Sequence, residues 1–228
     1  CNKKIEEYIF EDNEVAEVKY VFYKDLEKMV EEKVEGLLLH EEEYKYLFKY
    51  ITNKNIKIRK CTVDDVDSIY NIQNNVIDNF KEEEKGYFLP FKKDTYLRIV
   101  NDPINDGEIY GAFIDNKMIA WIFLSVSNRM KELEQMIPNI KGNCADIDGV
   151  IVLPEYRGYG LQKILVKYLE EKAREKGISN IIAEVTFENV YSLRNLKDLG
   201  YEEQTWYQKD ENIKRYILLK KLGEVENE

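Results

Sequence analysis

The sharpest chemical signal in this 228-residue chain is a strand that gives way to a glycine-bearing turn and then a helix: Val150-Ile151-Val152-Leu153-Pro154-Glu155-Tyr156-Arg157-Gly158-Tyr159-Gly160-Leu161-Gln162. Such a junction makes an anion site, because the first turn of a helix has unpaired N–H groups and a partial positive charge on which a pyrophosphate can settle. Gly158 and Gly160 remove side chains that would keep a ligand from the backbone, and Arg157 adds a charge or a structural brace. The turn lacks the Gly-Lys-Ser/Thr ending of a P-loop and the third glycine of a dinucleotide fingerprint. A bare Gly-x-Gly is an ordinary turn in most chains, so context has to carry the reading. Upstream, Asp146 and Asp148 stand two apart on a strand, which puts both side chains on one face. Two neighbouring carboxylates raise one pKa and suit a cationic amine. The alternative is that one or both bond backbone or solvent at the strand start. Downstream, Asn189 opens a helix that runs through Ser192 to Gly200-Tyr201, and Asn caps helices well in its own right.

A scaffold for these residues is legible from Ile56 onward, where strand and helix patterns alternate. Ile56–Lys60 reads as a short strand. Thr62 precedes a helix of about 17 residues with Asp65 placed for a capping box. A polar loop at 81–91 leads to a helix near Lys93–Asn101. Glu108–Ile114 and Met118–Val126 read as strands joined by a tight turn at Asp115-Asn116-Lys117. Residues 128–143 read as an inserted helix and loop, with Pro138 and Gly142 as breakers. Ala145–Leu153 is a strand, Leu161–Lys176 a helix closed by Gly177, Ser179–Phe187 a strand, and Val190–Leu199 a helix stopped by Gly200. A hairpin of Tyr201–Tyr207 and Asn212–Leu219 ends the pattern. This interleaving is too close for separate all-α and all-β domains, so the expectation is one α/β sheet domain over 56–222. A polar tail follows at 223–228.

Residues 1–55 differ in texture, being rich in Glu, Lys and Tyr and free of proline. Leu26, Met29, Val30, Val34 and Leu37 recur at steps of three and four, as do Tyr44, Leu47, Phe48 and Ile51. Gly36 and Leu37-Leu38-Leu39 suggest a break between two helices, and Val15–Tyr23 has the composition of a strand as an alternative. The segment reads as a mostly helical extension that packs on the main domain or on a partner, such as a second copy in a homodimer.

The net charge of −10 argues against nonspecific nucleic-acid binding, since a phosphate backbone is repelled over most of such a surface. No stretch approaches the ~20 apolar residues of a membrane span, and no signal-peptide pattern is present. Cys1, Cys61 and Cys144 are far apart without metal-ligand spacing, which reads as reduced cytoplasmic thiols and no metal. Cys1 at the start is compatible with a mature lipoprotein, although a trimmed start methionine is the leading expectation. His40, the sole histidine, stands beside Glu41, Glu42 and Glu43 and reads as part of a solvated helix surface. No Ser-His or Cys-His machinery follows from it.

The stretch Arg157-Gly158-Tyr159-Gly160-Leu161-Gln162 resembles the signature of the GNAT N-acetyltransferase family, a strand, then Arg/Gln-x-x-Gly-x-Gly/Ala, then a helix. Gln162 departs from it, standing where relatives have Gly or Ala, and a longer side chain there tightens or crowds the pyrophosphate pocket. Asn189-Val190-Tyr191-Ser192 with Gly200-Tyr201 is similar to the family's Asn-x-x-Ser/Ala helix ending in Gly-Phe/Tyr. The resemblance covers about residues 56–220 and implies a mixed, mostly antiparallel twisted sheet flanked by helices. It implies acetyl-CoA as donor, with the backbone around Val150, Ile151 and Val152 bonding pantetheine like an added strand. The N–H groups from Gly158 through Tyr159, Gly160, Leu161 and Gln162 to Lys163 would hold the pyrophosphate, Asn189 would contact the pantetheine or order the splayed strands, and Ser192 would lie near the cofactor. Many relatives place an acidic tyrosine where this chain has Leu196, leaving Tyr191 or Tyr201 as substitutes. Some carry a catalytic glutamate where Asp146 lies. The activity so implied is acetyl transfer to a primary amine of a small molecule or peptide by direct attack, with Asp146 or Asp148 assisting. A non-catalytic acyl-CoA-binding module and an interaction protein built on the N-terminal helices are the alternatives. The acceptor is set by loops, here chiefly 80–92 and 128–143.

Overall fold

Thr62 and Asp65 start the first helical stretch after the strand Lys57–Lys60 as the sequence anticipates: Asp65 accepts from the Thr62 N–H at 2.9 Å, completing a capping box. A 3-10 turn, Val63–Asp65, intervenes before the helix proper, which is therefore shorter than the expected 17 residues. The computed structural model describes residues 21–34, 41–210 and 213–223. They fall in two compact units, Cys1–Lys54 and Asn55–Glu228.

In the first unit α1 spans Tyr23–Glu31 and α2 spans Glu41–Asn55, with Tyr44 and Phe48 stacked one turn apart at 5.8 Å. Tyr23 opens a helix and does not end a strand. The rest of the alternative strand up to residue 20, the expected break at Gly36–Leu39, Cys1 and His40 lie outside the described residues.

The second unit carries β1 (Lys57–Lys60), α3 (Val66–Asp78), α4 (Lys93–Asn101), β2 (Gly107–Ile114), β3 (Lys117–Ser125), α5 (Asn128–Gln135), β4 (Cys144–Val152), α6 (Leu161–Glu175), β5 (Asn180–Thr186), α7 (Val190–Asp198), β6 (Glu202–Gln208) and β7 (Lys214–Lys221). Boundaries differ from the sequence reading by one or two residues at most ends. Asp115 and Asn116 both have positive φ, +48° and +64°, so the β2–β3 turn is a two-residue type I′ turn and Lys117 already belongs to β3.

The strands form one mixed sheet in the order β1-β2-β3-β4-β5-β7-β6. Every neighbouring pair is antiparallel except β4 with β5. That single parallel pair arises because the β4–β5 connection is the helical crossover α6. Both faces are covered, so β2 and β3 are buried along nearly their whole length. On one face α6 packs through Tyr168 against Tyr110, ring centroids 5.4 Å apart. Ile122 lies opposite Tyr110, so its neighbour Trp121 points to the other face. There Trp121 meets Tyr96 of α4 at 5.6 Å and Phe88 of the α3–α4 loop at 5.9 Å. Met130 and Leu133 of α5 join a separate apolar cluster with Cys144 and Ile182. That cluster lies on the Trp121 face, since Asp146 pairs with both Ser125 and Ile182.

Candidate functional site

The site is built where β4 and β5 part. Their pairing runs from Cys144↔Asn180 to Ile147↔Ala183 and stops there, while β4 continues against β3 to Val152 and β5 continues against β7 to Thr186. The register of β4 against β3 slips between Ile122 and Leu124. Ile147 stands opposite Leu124 and Val150 opposite Ile122, so Asp148 and Gly149 together oppose one residue, a β-bulge. Gly149 has φ +140°, and a Cβ there would meet Phe88 Cε2 at 2.7 Å. Past the bulge, the Leu153 N–H donates to the Ile119 carbonyl at 3.0 Å. By antiparallel alternation Ile151 also turns its peptide groups to β3, and Val150 and Val152 turn theirs to the open edge facing β5. Of the three residues expected along the pantetheine, Ile151 therefore contributes a buried side chain and not backbone groups.

β4 leads directly to the anion turn. Pro154–Tyr156 forms a 3-10 turn, exposed Arg157 is extended, and Gly158 and Gly160 have φ of +82° and +79°. A Cβ at Gly158 would meet no atom within 4 Å, so its backbone angle, not packing, calls for glycine there. Gly160 caps α6 without a side-chain bond, and the first intrahelical bond runs from the Ile164 N–H to the Gly160 carbonyl at 3.1 Å. The N–H groups of Leu161, Gln162 and Lys163 precede that bond and form the positive end of the helix. The Leu161 side chain is buried, and Tyr159 is half-buried beside the core. This turn fits a pyrophosphate: two left-handed glycines, a helix N-terminus and a neighbouring guanidinium.

Asn189 caps α7, its side-chain oxygen accepting from the Ser192 N–H at 3.1 Å. Gln162 leans away from the turn and onto α7. Its amide nitrogen donates to Ser192 Oγ at 2.8 Å, and its oxygen accepts from Asn195 Nδ2 at 2.8 Å. The side chain that departs from the family pattern thus ties two helices. Lys163 pairs with Asp198 of α7 at 2.6 Å, and that hydrogen bond holds the Asp198 carboxyl below its ordinary range.

Asp146 and Asp148 both belong to the Trp121 face, but their settings differ. Asp146 is buried at 3 % exposure within the paired part of β4, opposite Ser125 and Ile182. Asp148 is half-buried, one residue past the last β4–β5 pair. It is near Tyr96, whose phenol burial raises first and the Asp148 charge second. The Tyr96 hydroxyl donates to Gln73, and Gln73 in turn exchanges hydrogen bonds with the Phe91 backbone.

The α3–α4 loop closes over this face and is anchored from three directions. The Tyr87 hydroxyl donates to the Glu188 carbonyl at 2.9 Å, Arg215 donates to the Gly86 carbonyl at 3.3 Å, and Gly86 packs against Ile213. Arg215 also pairs with Glu184 of β5 at 3.2 Å, and the Tyr207 hydroxyl donates to the same carboxylate. Glu184, Arg215 and Tyr207 carry no recognisable motif, and their joining depends on sheet order. The one local hint is at Tyr207, which lies on the half-buried phase of β6.

Leu196, where many relatives carry the tyrosine, belongs to α7 and its carbonyl accepts from the Tyr201 N–H at 3.1 Å. Leu196 is buried at 3 % exposure. Tyr201 is buried and its phenol raised, by burial first and the Glu170 charge second, with Lys220 over the ring at 5.6 Å. Tyr191 is 82 % exposed on the first turn of α7. Cys61 and Cys144 are free and buried, and burial pushes their thiols up to about 12 and about 11, so neither is a thiolate near neutrality. Among the described residues no cluster of three or more His, Cys, Asp or Glu is arranged to hold a metal ion. No described helix is long and apolar enough to cross a membrane.

The parallel pair that parts at a bulge beside a glycine-bearing helix N-terminus is set in a mixed, mostly antiparallel α/β sheet fold. The chain belongs to the acetyltransferase (GNAT) family, whose model matches residues 75–201. Among solved structures, the ribosomal-protein-S18-alanine N-acetyltransferase from Escherichia coli is 16% identical with a TM-score of 0.56, covering 75% of this chain and 96% of that one. An N-acetyltransferase from Staphylococcus aureus Mu50 is 16% identical with a TM-score of 0.58, covering 74% and 99%. The structure of yncA from Salmonella typhimurium, solved with its cofactor acetyl-CoA, is 15% identical with a TM-score of 0.57, covering 76% and 97%. At these identities the likeness is one of fold. No functionally curated protein matches the chain by sequence.

Proposed function

We propose that the protein is an acetyl-CoA-dependent N-acetyltransferase acting on a primary amine of a small molecule or peptide. The observation that carries this reading is the end of β4–β5 pairing at Ile147↔Ala183, immediately before the bulge and the Arg157–Gly160 turn. Membership of the GNAT family and the yncA structure with acetyl-CoA support the same donor. The backbone groups of Val150 and Val152 hold the pantetheine, the N–H groups from Gly158 to Lys163 hold the pyrophosphate with Arg157 beside them, and Asn189 and Ser192 line the pantetheine. When bound, acetyl-CoA supplies an acyl group activated as a thioester.

The chain's own contribution is to orient the amine and take up its proton. Asp148 is the better situated of the two carboxylates for this, being half-buried where the strands part, with Asp146 behind it. The aromatic wall of Phe88, Tyr96 and Trp121 restricts water around it. The buried, neutral state of both described cysteines favours direct attack over an acyl-enzyme. A cytoplasmic location and self-association through residues 1–55 complete the reading, and the mass of the full chain in solution tests the latter.

The experiment is thiol release from acetyl-CoA across a panel of primary amines. Release with at least one amine class, dependent on amine concentration, supports the enzyme. Leu196 favours a second reading, an acyl-CoA-binding module without acid catalysis, because a buried leucine stands where relatives carry an acid. That module binds acetyl-CoA and releases thiol with none of the amines.

A further inference from the structure

We propose that the Gln162 side chain is a positioning residue that couples the two halves of the cofactor site; this rests on the acetyl-CoA reading above. Its main-chain N–H belongs to the anion turn of α6, and its amide grips α7. Both polar ends of the amide are engaged by residues one turn apart, Ser192 and Asn195, each at 2.8 Å. From Ser192 the connection continues through its N–H to Asn189 Oδ1 at 3.1 Å, which starts α7. A partly buried chain of hydrogen bonds therefore runs from the pyrophosphate turn to the two residues assigned to the pantetheine.

The neighbouring residue adds a parallel tie, Lys163 to Asp198 at 2.6 Å on the outside of the same helix pair. Gly or Ala at this position has no group that could make the inner tie, so the tie depends on the Gln162 amide itself. Both hydrogen bonds of the amide run to α7, and a Cβ at Gly158 would still meet no atom within 4 Å. Gln162 thus does not crowd the anion site; it holds the far wall of the cleft in register with it. Binding of the pyrophosphate end and of the pantetheine end then depend on one another through this residue.

The test is calorimetry on the full chain with two ligands, acetyl-CoA and ADP, the second carrying a pyrophosphate but no pantetheine. Gln162→Met keeps the side chain's length and removes both hydrogen bonds. The expected result is about fivefold weaker acetyl-CoA binding, with ADP binding unchanged because the main-chain N–H groups remain. Asn195→Ala, which breaks the tie from α7, shifts acetyl-CoA in the same direction and adds little on top of Gln162→Met. Unchanged acetyl-CoA affinity in both variants overturns the proposal, as does an equal loss for ADP, which would make the side chain part of the anion turn alone. Absence of acetyl-CoA binding by the unaltered protein overturns the cofactor reading itself, an outcome distinct from normal binding with insensitive variants.

Discussion

Ile147 and Ala183 are the last residues at which β4 and β5 pair. Up to that rung the two strands are a continuous parallel sheet; beyond it each keeps its outer partner and loses the inner one. The bulge at Asp148-Gly149 follows directly on that rung, and past it the backbone groups of half-buried Val150 and Val152 turn to the edge facing β5. A ligand that bonds like a strand is what such an edge accommodates.

Gly149 is the residue on which that geometry turns. Its φ of +140° is strained for any L side chain, and a Cβ would lie 2.7 Å from Phe88 and 3.3 Å from Trp121. Gly149→Ala is expected to destabilise the domain by about 1–3 kcal/mol, read as a lowered denaturant midpoint. Acetyl transfer falls further than stability does, because Asp148 is displaced with its neighbour. A variant with full stability and full activity would show that the bulge does not depend on glycine.

Arg157 flanks the glycine turn proposed to hold the pyrophosphate and is exposed. Arg157→Glu reverses the charge there, and acetyl-CoA binding is expected to weaken about tenfold or more, more at low salt than at high salt. A dissociation constant that stays the same at both ionic strengths would refute the assigned pose.

The two carboxylates separate by pH–rate profile. If Asp148 takes up the amine's proton, Asp148→Asn lowers kcat/KM by about 10²–10⁴-fold and abolishes the acidic limb. Asp146→Asn, inside the paired sheet, lowers activity less and leaves the limb in place. The opposite pattern assigns the proton to Asp146.

How much of this was legible in the sequence follows from the range of the interactions. The strand, glycine turn and helix start at 150–163 were readable because their signals are local, and the Asp115-Asn116 hairpin for the same reason. The parting of β4 from β5 was not, since it depends on pairing between residues 36 apart in the chain, Ile147 and Ala183. Nor was the direction of Gln162, which is decided by α7, or the anchoring of the α3–α4 loop by Arg215, 129 residues from Gly86. The different settings of Asp146 and Asp148 also come from tertiary contact: period two puts both on one face, but only the end of the sheet separates a buried carboxylate from a half-buried one. The expected long helix after Thr62 ran too far because a 3-10 turn and a helix share the same capping residues.

One further test addresses the entry to the domain. Arg59 donates two hydrogen bonds to Asp65, at 2.7 and 2.8 Å, and these, against the opposing effect of burial, hold the Asp65 carboxyl below its ordinary range. Because the folded-state value is depressed, the stabilisation is present above the unfolded value near ~4 and is lost as pH falls through the folded one. Asp65→Asn, which also weakens the capping box, is expected to cost about 1–2 kcal/mol at neutral pH. The gap from the unaltered protein narrows as the pH is taken below ~4. A gap that is constant with pH would remove the ion pair from the account.

Whether the parted strands and the glycine turn form an acetyl-CoA site is decided by calorimetric titration of the full chain with acetyl-CoA. Saturable one-to-one binding that Arg157→Glu weakens is the expected result. No heat of binding at millimolar acetyl-CoA would contradict it.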